Sequence, residues 1–264
     1  MTERPFVLVE AKGAALWISL NRPASLNALT PEMLGQIANA LDDAARNDHV
    51  RCVVLTGAGR AFCAGADLKA VRGGADTPSS DPLRAFLAHA AEVTSKLADF
   101  PKPLIAAVNG LALAGGLEIA LCADLVIAAR SARLGDAHAN YGLLPGGGSS
   151  ARLPRKIGQT RATFLLFTGD SLSADEMQTY GLVNQVVDDS DLVPAVERVV
   201  GKLALKSPLV LRRMKALIRD GMDQPLHTAL AMEMLANEAH ASSHDLQEGL
   251  DAFEQKRQPV FLGR

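Results

Sequence analysis

The sequence predicts an α/β fold with an all-helical C-terminal region. Three observations carry that prediction. Short, wholly apolar runs such as CVVLT (Cys52–Thr56) and LIAAV (Leu104–Val108) alternate with longer stretches that open on helix-capping signals. Each apolar run ends in a glycine-containing loop, as strands fed by helices do. Beyond about Val187 no strand-like run occurs, and the chain reads as one helix after another.

In chain order, Phe6–Glu10 and Ala14–Leu20 are β-rich runs joined at Lys12-Gly13, which predicts a hairpin. Thr30-Pro31-Glu32 opens a helix: a capping threonine, proline at the first helical position and an acid in the first turn. That helix is expected to reach about Asn47. Cys52–Thr56 is a buried strand running into the turn Gly57–Gly59. Asp81-Pro82 repeats the capped start, and its helix ends near Asp99, ahead of Pro101 and Pro103. Leu104–Val108, followed by Asn109-Gly110, and Leu125–Ala129 are further buried strands. From Leu192 onward, Ser207-Pro208 and Gln224-Pro225 mark helix starts. The expected division is an α/β unit over residues 1–190 and a helical region over residues 191–264. Gly73–Ser80 (GGADTPSS) is the expected mobile loop; no sequence repeat or low-complexity tract occurs.

Composition narrows the function classes. With 264 residues, 48% hydrophobic and 21% charged, the chain can bury a sizeable core. A net charge of −2, no Lys/Arg-rich run and 4% aromatics argue against nucleic-acid binding. The three separated cysteines, without a C-x-x-C, predict reduced, buried thiols and a cytoplasmic setting. The start, MTERPFVLVE, lacks the apolar core of a signal peptide. The most apolar stretch, Pro103–Ala129, is interrupted by Asn109, Glu118 and Asp124, so it reads as protein core rather than a membrane span.

The segment GDAHANYGLLPGGG (Gly135–Gly148) admits several chemistries. GGGSSA (Gly146–Ala151) resembles a dinucleotide loop, with Asp170 downstream, but Pro145 precedes it and Pro154 falls within the helix it would have to open. GGSSA (Gly147–Ala151) lies one residue from a nucleophile elbow, yet it lacks a preceding strand, and His227, His240 and His244 sit in polar helical patterns. His240 and His244 beside Glu238 read as a solvated helix rather than a metal face, and no metal site is expected. What is left is an acid/base pair. Glu118 lies in a run that is otherwise core, where burial raises a carboxyl pKa, and His138 is an imidazole that can exchange a proton near neutrality. Gly115-Gly116, at the start of a helix, presents unencumbered backbone N–H groups; FCAGADLK (Phe62–Lys69) can supply a second donor to the same oxygen.

These motifs, with LNRPASLNAL (Leu20–Leu29), LAGGLE (Leu113–Glu118), the CADLVIA after it, GLLPGGGSSARLPR, GLVNQVV and the KRQPVFLGR ending, resemble the enoyl-CoA hydratase/isomerase (crotonase) family over nearly the whole chain. The resemblance implies a crotonase-like spiral of β-β-α repeats whose C-terminal helical region trimerises, as a homotrimer or a dimer of trimers. It implies an acyl-CoA thioester as substrate, with no cofactor beyond the CoA that the substrate carries. The thioester oxygen would be held by the backbone N–H groups of Ala66 and Gly115. Ala64, Ala66, Asp67, Leu68 and Lys69 would line the CoA and acyl path, and the turn at Asn27-Ala28 would approach the CoA. The family uses two glutamates for hydration. Glu118 matches the first, and His138 stands where the second would be.

That departure leaves the reaction open. A Glu118/His138 pair fits hydration of a 2-enoyl-CoA, the leading expectation, and fits double-bond isomerisation, thioester hydrolysis or carbon–carbon bond cleavage as well. If His138 only fills the pocket wall, Glu118 works alone, or the protein binds acyl-CoA without catalysis. Asp136 either orients the imidazole or caps a helix, and Tyr141 is a further candidate pocket donor. Gly73–Ser80 and the helix after it are expected to shape the acyl pocket. A nucleotide-dependent dehydrogenase built on GGGSSA is the remaining rival.

Overall fold

A computed structural model describes residues 5–71 and 81–264. The loop expected at Gly73–Ser80 lies outside the described residues. The predicted hairpin forms first: β1 (Val7–Lys12) and β2 (Ala15–Leu20) pair antiparallel, with Lys12 opposite Ala15. The next element, α1 (Pro31–Arg46), is capped as expected, Thr30 Oγ1 accepting from the Met33 N–H, and it buries Met33, Leu34, Ile37 and Leu41.

A unit of long strand, short strand and helix then recurs. The first is β3 (Cys52–Gly57), β4 (Ala61–Cys63), a short α2 (Leu68–Val71) and α3 (Asp81–Ala98). The second is β5 (Leu104–Val108), β6 (Leu111–Leu113) and α4 (Gly115–Leu121). The third is β7 (Leu125–Ala129), β8 (Arg133–Gly135), α5 (Ser149–Ile157) and α6 (Gln159–Thr168). Then follow β9 (Ser171–Ser173), α7 (Ala174–Thr179) and β10 (Gln185–Val187). The long strands build one sheet in the order β1-β2-β3-β5-β7-β10; the short ones build a second, β4-β6-β8-β9. Each unit therefore advances one parallel strand in both sheets, which makes the chain a spiral of β-β-α repeats. The repetition is geometric, with no recurring sequence motif. The second sheet is absent from the sequence reading because its strands span only three residues each, too few for a pattern of alternation to register.

Two of the three polar residues that interrupt the Pro103–Ala129 core staple successive turns of the spiral. Asn109 Oδ1 accepts from the Gly57 N–H at 3.1 Å, while its Nδ2 donates to the Gly59 carbonyl at 2.9 Å. Asp124 Oδ2 accepts from the Leu104 N–H at 2.7 Å and from Lys215 Nζ at 2.8 Å. The third, Glu118, has a different surrounding, described below. All three cysteines are free and buried.

Four helices follow: α8 (Leu192–Ala204), α9 (Pro208–Gly221), α10 (Leu226–His240) and α11 (His244–Glu254). Of these, α8 puts Leu192, Ala195, Val196 and Val200 into the core that also holds the first sheet. Among the described residues α9 buries only Leu209 of its side chains and α10 none. No described helix is long and apolar enough to cross a membrane.

Candidate active site

Glu118 sits in the first turns of α4, a helix whose other residues from Gly116 to Leu121 are all buried. The helix docks directly on β4. A Cβ at Gly116 would land inside van der Waals contact of the Cys63 carbonyl oxygen, so glycine is what permits this approach. Glu118 is 4% exposed, and its Oε1 accepts from the backbone N–H groups of Gly147 (2.7 Å) and Ser149 (3.0 Å). The GGG tract thus has a structural meaning: it folds round a carboxylate. A Cβ on Gly147 would lie 2.7 Å from Glu118 Oε2. Burial pushes the Glu118 carboxyl above the usual carboxylate range, and the Ser149 N–H, the His138 charge and the Gly147 N–H oppose that without overcoming it.

Glu118 and His138 meet, as the sequence reading expects: His138 Nε2 lies 3.9 Å from Glu118 Oε2. On its other side, His138 Nδ1 is 2.9 and 3.0 Å from the two oxygens of Asp136, which is 1% exposed. Asp136 Oδ1 also accepts from the His138 backbone N–H at 3.2 Å, just ahead of the turn His138–Tyr141, whose N-cap position is Ala137 and carries no side-chain cap. Burial pulls the imidazole pKa down, but the Asp136 hydrogen bond and charge, followed by the Glu118 charge, outweigh it and hold His138 above its ordinary value. Burial likewise pushes Asp136 up, but the His138 hydrogen bond, the nearby Ser149 hydroxyl and the His138 charge together outweigh it and hold this carboxyl low.

Ala66 and Gly115 bring their backbones together. Leu29 and Ala66 form an isolated parallel bridge, in which the Leu29 N–H donates to the Gly65 carbonyl and the Asp67 N–H donates to the Leu29 carbonyl. That pairing turns the Ala66 N–H to the opposite edge. A Cβ built on Gly115 would lie 3.7 Å from the Ala66 nitrogen. Neither N–H has an acceptor among the described residues. Just before Gly115, Ala114 holds φ +48° and ψ −117°, a costly backbone for alanine, at the step from β6 into α4. An alanine in LAGGLE gives no warning of this in the sequence.

Ala66, Gly115, Glu118 and His138 share the wall of one cavity of about 280 Å³. Its other walls are apolar, including Leu29, Phe86, Leu87 and Leu143, and its Thr94 hydroxyl is already donated to the Ala90 carbonyl. Leu68 lines the same cavity; Asn27, Ala28, Ala64, Asp67 and Lys69 do not. The Asn27 side chain is fully buried and spent on structure, accepting from the Arg22 N–H and donating to the Ala58 and Ala61 carbonyls. Asp67 pairs with Arg22 at 2.8 Å and caps the Lys69 and Ala70 N–H groups, while Lys69 is exposed. The Ala64 N–H donates to the Leu26 carbonyl and Ala28 is half-buried. Tyr141 is 70% exposed and lies off the cavity wall, so it is not a pocket donor in this structure. The GGG tract follows a short helical turn and a loop rather than a strand, contrary to what a dinucleotide or nucleophile motif requires. In the tail, His240 contacts the Ser243 hydroxyl and His244 contacts Asp245.

Two unpaired N–H groups beside a buried carboxylate–imidazole pair suit an enzyme that polarises a carbonyl and moves a proton next to it. The chain belongs to the enoyl-CoA hydratase/isomerase family, whose sequence profile matches residues 10–264. It is 37% identical to a crotonyl-CoA hydratase of Syntrophomonas wolfei over 97% of this chain and 96% of the relative. It is also 37% identical to the 1,2-epoxyphenylacetyl-CoA isomerase of Escherichia coli, over 98% of this chain and 99% of that one. Among solved structures, an enoyl-CoA hydratase from Bacillus anthracis superposes with a TM-score of 0.93 at 38% identity, covering 98% of this chain and all of that one.

Proposed function

We propose that this member of the family hydrates a 2-enoyl-CoA thioester. The Ala66 and Gly115 N–H groups form the oxyanion hole that receives the thioester oxygen as it gains charge; each such donor contributes about 2.7–4 kcal/mol to a transition state. Glu118 takes a proton from water as the water oxygen attacks C3. The double-bond electrons move through C2 onto the thioester oxygen. As the enolate collapses, C2 takes a proton from protonated His138, and the proton held by Glu118 then passes to His138 across the 3.9 Å between them, restoring both groups. Atoms and charge balance without an oxidant, a reductant or any cofactor beyond the CoA on the substrate. Leu68 and the rim at Ala64, Asp67 and Lys69 are our assignment for the CoA and acyl path, with the Asn27-Ala28 turn contributing as scaffold.

The observation that carries this reading is the 3.9 Å approach of His138 Nε2 to Glu118 Oε2 in a cavity shared with the two free N–H groups. Hydration needs a base and an acid, and this pair supplies both. Isomerisation of a 3-enoyl-CoA is the second reading, favoured by the family description, which covers enoyl-CoA isomerases as well as hydratases. Incubation with crotonyl-CoA separates the two. The reading predicts loss of the conjugated-thioester absorbance and formation of the 3-hydroxyacyl product. Unchanged absorbance with several chain lengths, together with a gain of conjugation from 3-enoyl-CoA, establishes the isomerase instead; CoA-ester binding with no reaction leaves a binding protein.

We further infer a homotrimer or a dimer of trimers, and a cytoplasmic setting in keeping with three buried, unpaired thiols. Supporting the oligomer, Leu226 (75% exposed), Leu230 (53%) and Met234 (61%) line one side of α10 at four-residue spacing, with no described partner.

A further inference from the structure

Asp136 lies outside the cavity wall, touches neither free N–H, and yet is 1% exposed, which is costly for a carboxylate without a task. Both of its oxygens face the same nitrogen, His138 Nδ1, at 2.9 and 3.0 Å. An ionised carboxylate only accepts hydrogen bonds, so that nitrogen must carry a hydrogen. The ring is held by this contact and by the 3.2 Å bond from its own backbone N–H to the same carboxylate. The opposite nitrogen, Nε2, points across 3.9 Å to Glu118 in the cavity.

We propose that Asp136 is a positioning residue that fixes the Nδ1–H of His138, so that Nε2 is the one nitrogen able to exchange a proton with the substrate. The proposal rests on the hydration reading for its catalytic meaning, but the arrangement itself is independent of turnover. Without Asp136, the imidazole proton can sit on either nitrogen and the ring can rotate about its side-chain bonds. Half or more of the neutral population would then present the wrong atom. With it, the ring cycles between a form with Nδ1–H alone and one with both nitrogens protonated, and only Nε2 changes.

The charged neighbours on each packed element are compatible with this. From α4 the group facing the ring is Glu118. From α5, the Arg152 guanidinium donates to the Gly147 carbonyl instead of approaching the ring. From α6, Arg161 stacks over Tyr180 at 4.2 Å. The cavity-lining residues of α3 (Leu83, Phe86, Leu87, Ala90 and Thr94) carry no charge. Asp136 and Glu118 thus set the ring's field, and the negative charge of Asp136 favours the protonated form that acts as the acid.

The test uses the full-length protein and two substitutions. Asp136→Asn keeps volume and one acceptor oxygen but removes the charge; Asp136→Ala removes both. In ¹⁵N spectra of the histidine rings, with His138 assigned by its loss in His138→Gln, the wild type is expected to show Nδ1 protonated throughout the titration and Nε2 alone titrating. In Asp136→Ala both nitrogens should share the proton, and in Asp136→Asn the ring should titrate about one pH unit lower. The alkaline limb of kcat/KM for crotonyl-CoA should move down by the same amount. In the His138→Gln background, adding Asp136→Asn should change turnover no further. A His138 tautomer and titration identical in wild type and Asp136→Ala overturn the proposal, as does an equal Asp136→Asn loss with and without the imidazole. If no enoyl-CoA is hydrated by any form, the hydration reading fails, while the ring spectra still decide the role of Asp136.

Discussion

At the scale of single residues, three interruptions in one apolar stretch have three fates. Asn109 and Asp124 satisfy backbone groups of neighbouring turns, and their side chains are consumed in doing so. Glu118 keeps Oε1 on two backbone N–H groups and leaves Oε2 facing His138 and the cavity. The structure therefore fixes the orientation of Glu118 and leaves one oxygen open to the cavity, the arrangement that the proposed base role requires. Glu118→Gln preserves shape and removes the proposed base. It is expected to lower kcat by about 10²–10⁴ while the Kd for a non-reactive acyl-CoA ester stays within a few fold. Equal losses in kcat and binding would place Glu118 in substrate recognition instead.

At the scale of elements, capping and strand signals were legible because they are local. Thr30-Pro31 opens α1 and Ser207-Pro208 opens α9 as read, with Ser207 Oγ accepting from the Val210 N–H. The three-residue strands β4, β6 and β8 were not legible, since their parallel pairing joins residues far apart in sequence. The same limit hid what holds the C-terminal tail. Asp245, 2% exposed, accepts from the Leu262 and Gly263 N–H groups and from the Ser207 hydroxyl. Burial pushes its carboxyl up, but the Ser207 bond and the two backbone N–H groups overcome that and hold it low. Because the folded value is depressed, this stabilisation is complete above the unfolded carboxylate value and is lost as pH falls through the folded one. Asp245→Ala should cost roughly 2 kcal/mol, since it strands the buried Ser207 hydroxyl and two part-buried backbone N–H groups. It should also speed hydrogen exchange at Leu262 and Gly263 selectively. Unchanged exchange there would show that the tail is held by other contacts.

At the scale of the whole molecule, two sheets advance together so that β4 and the start of α4, from successive turns of the spiral, lie side by side. That juxtaposition brings the Ala66 N–H next to the Gly115 N–H, residues 49 positions apart. The individual motifs were visible in the sequence, and the family resemblance implied that His138 stands where a carboxylate would be. Their convergence rests on the spiral, and the strained turn at Ala114 and the double grip of Asp136 on the imidazole arise only in the folded chain. The apolar side of α10 belongs to this scale as well. Leu230→Asp places a charge in that face and, on the oligomer reading, should shift the sedimentation coefficient from a trimeric or hexameric species toward monomer. An unchanged assembly would move the interface elsewhere.

On the proposed reading, one buried carboxylate and one imidazole divide the labour of adding water. That division shows in the pH dependence of kcat/KM for crotonyl-CoA hydration. Glu118, raised by burial, must be ionised, so activity should fall on the acid side at a pH above the usual carboxylate range. His138 must be protonated, so activity should fall again on the alkaline side, above about 6.5. The predicted result is a bell whose alkaline limb disappears in His138→Gln. An alkaline limb unchanged by that substitution would contradict the account.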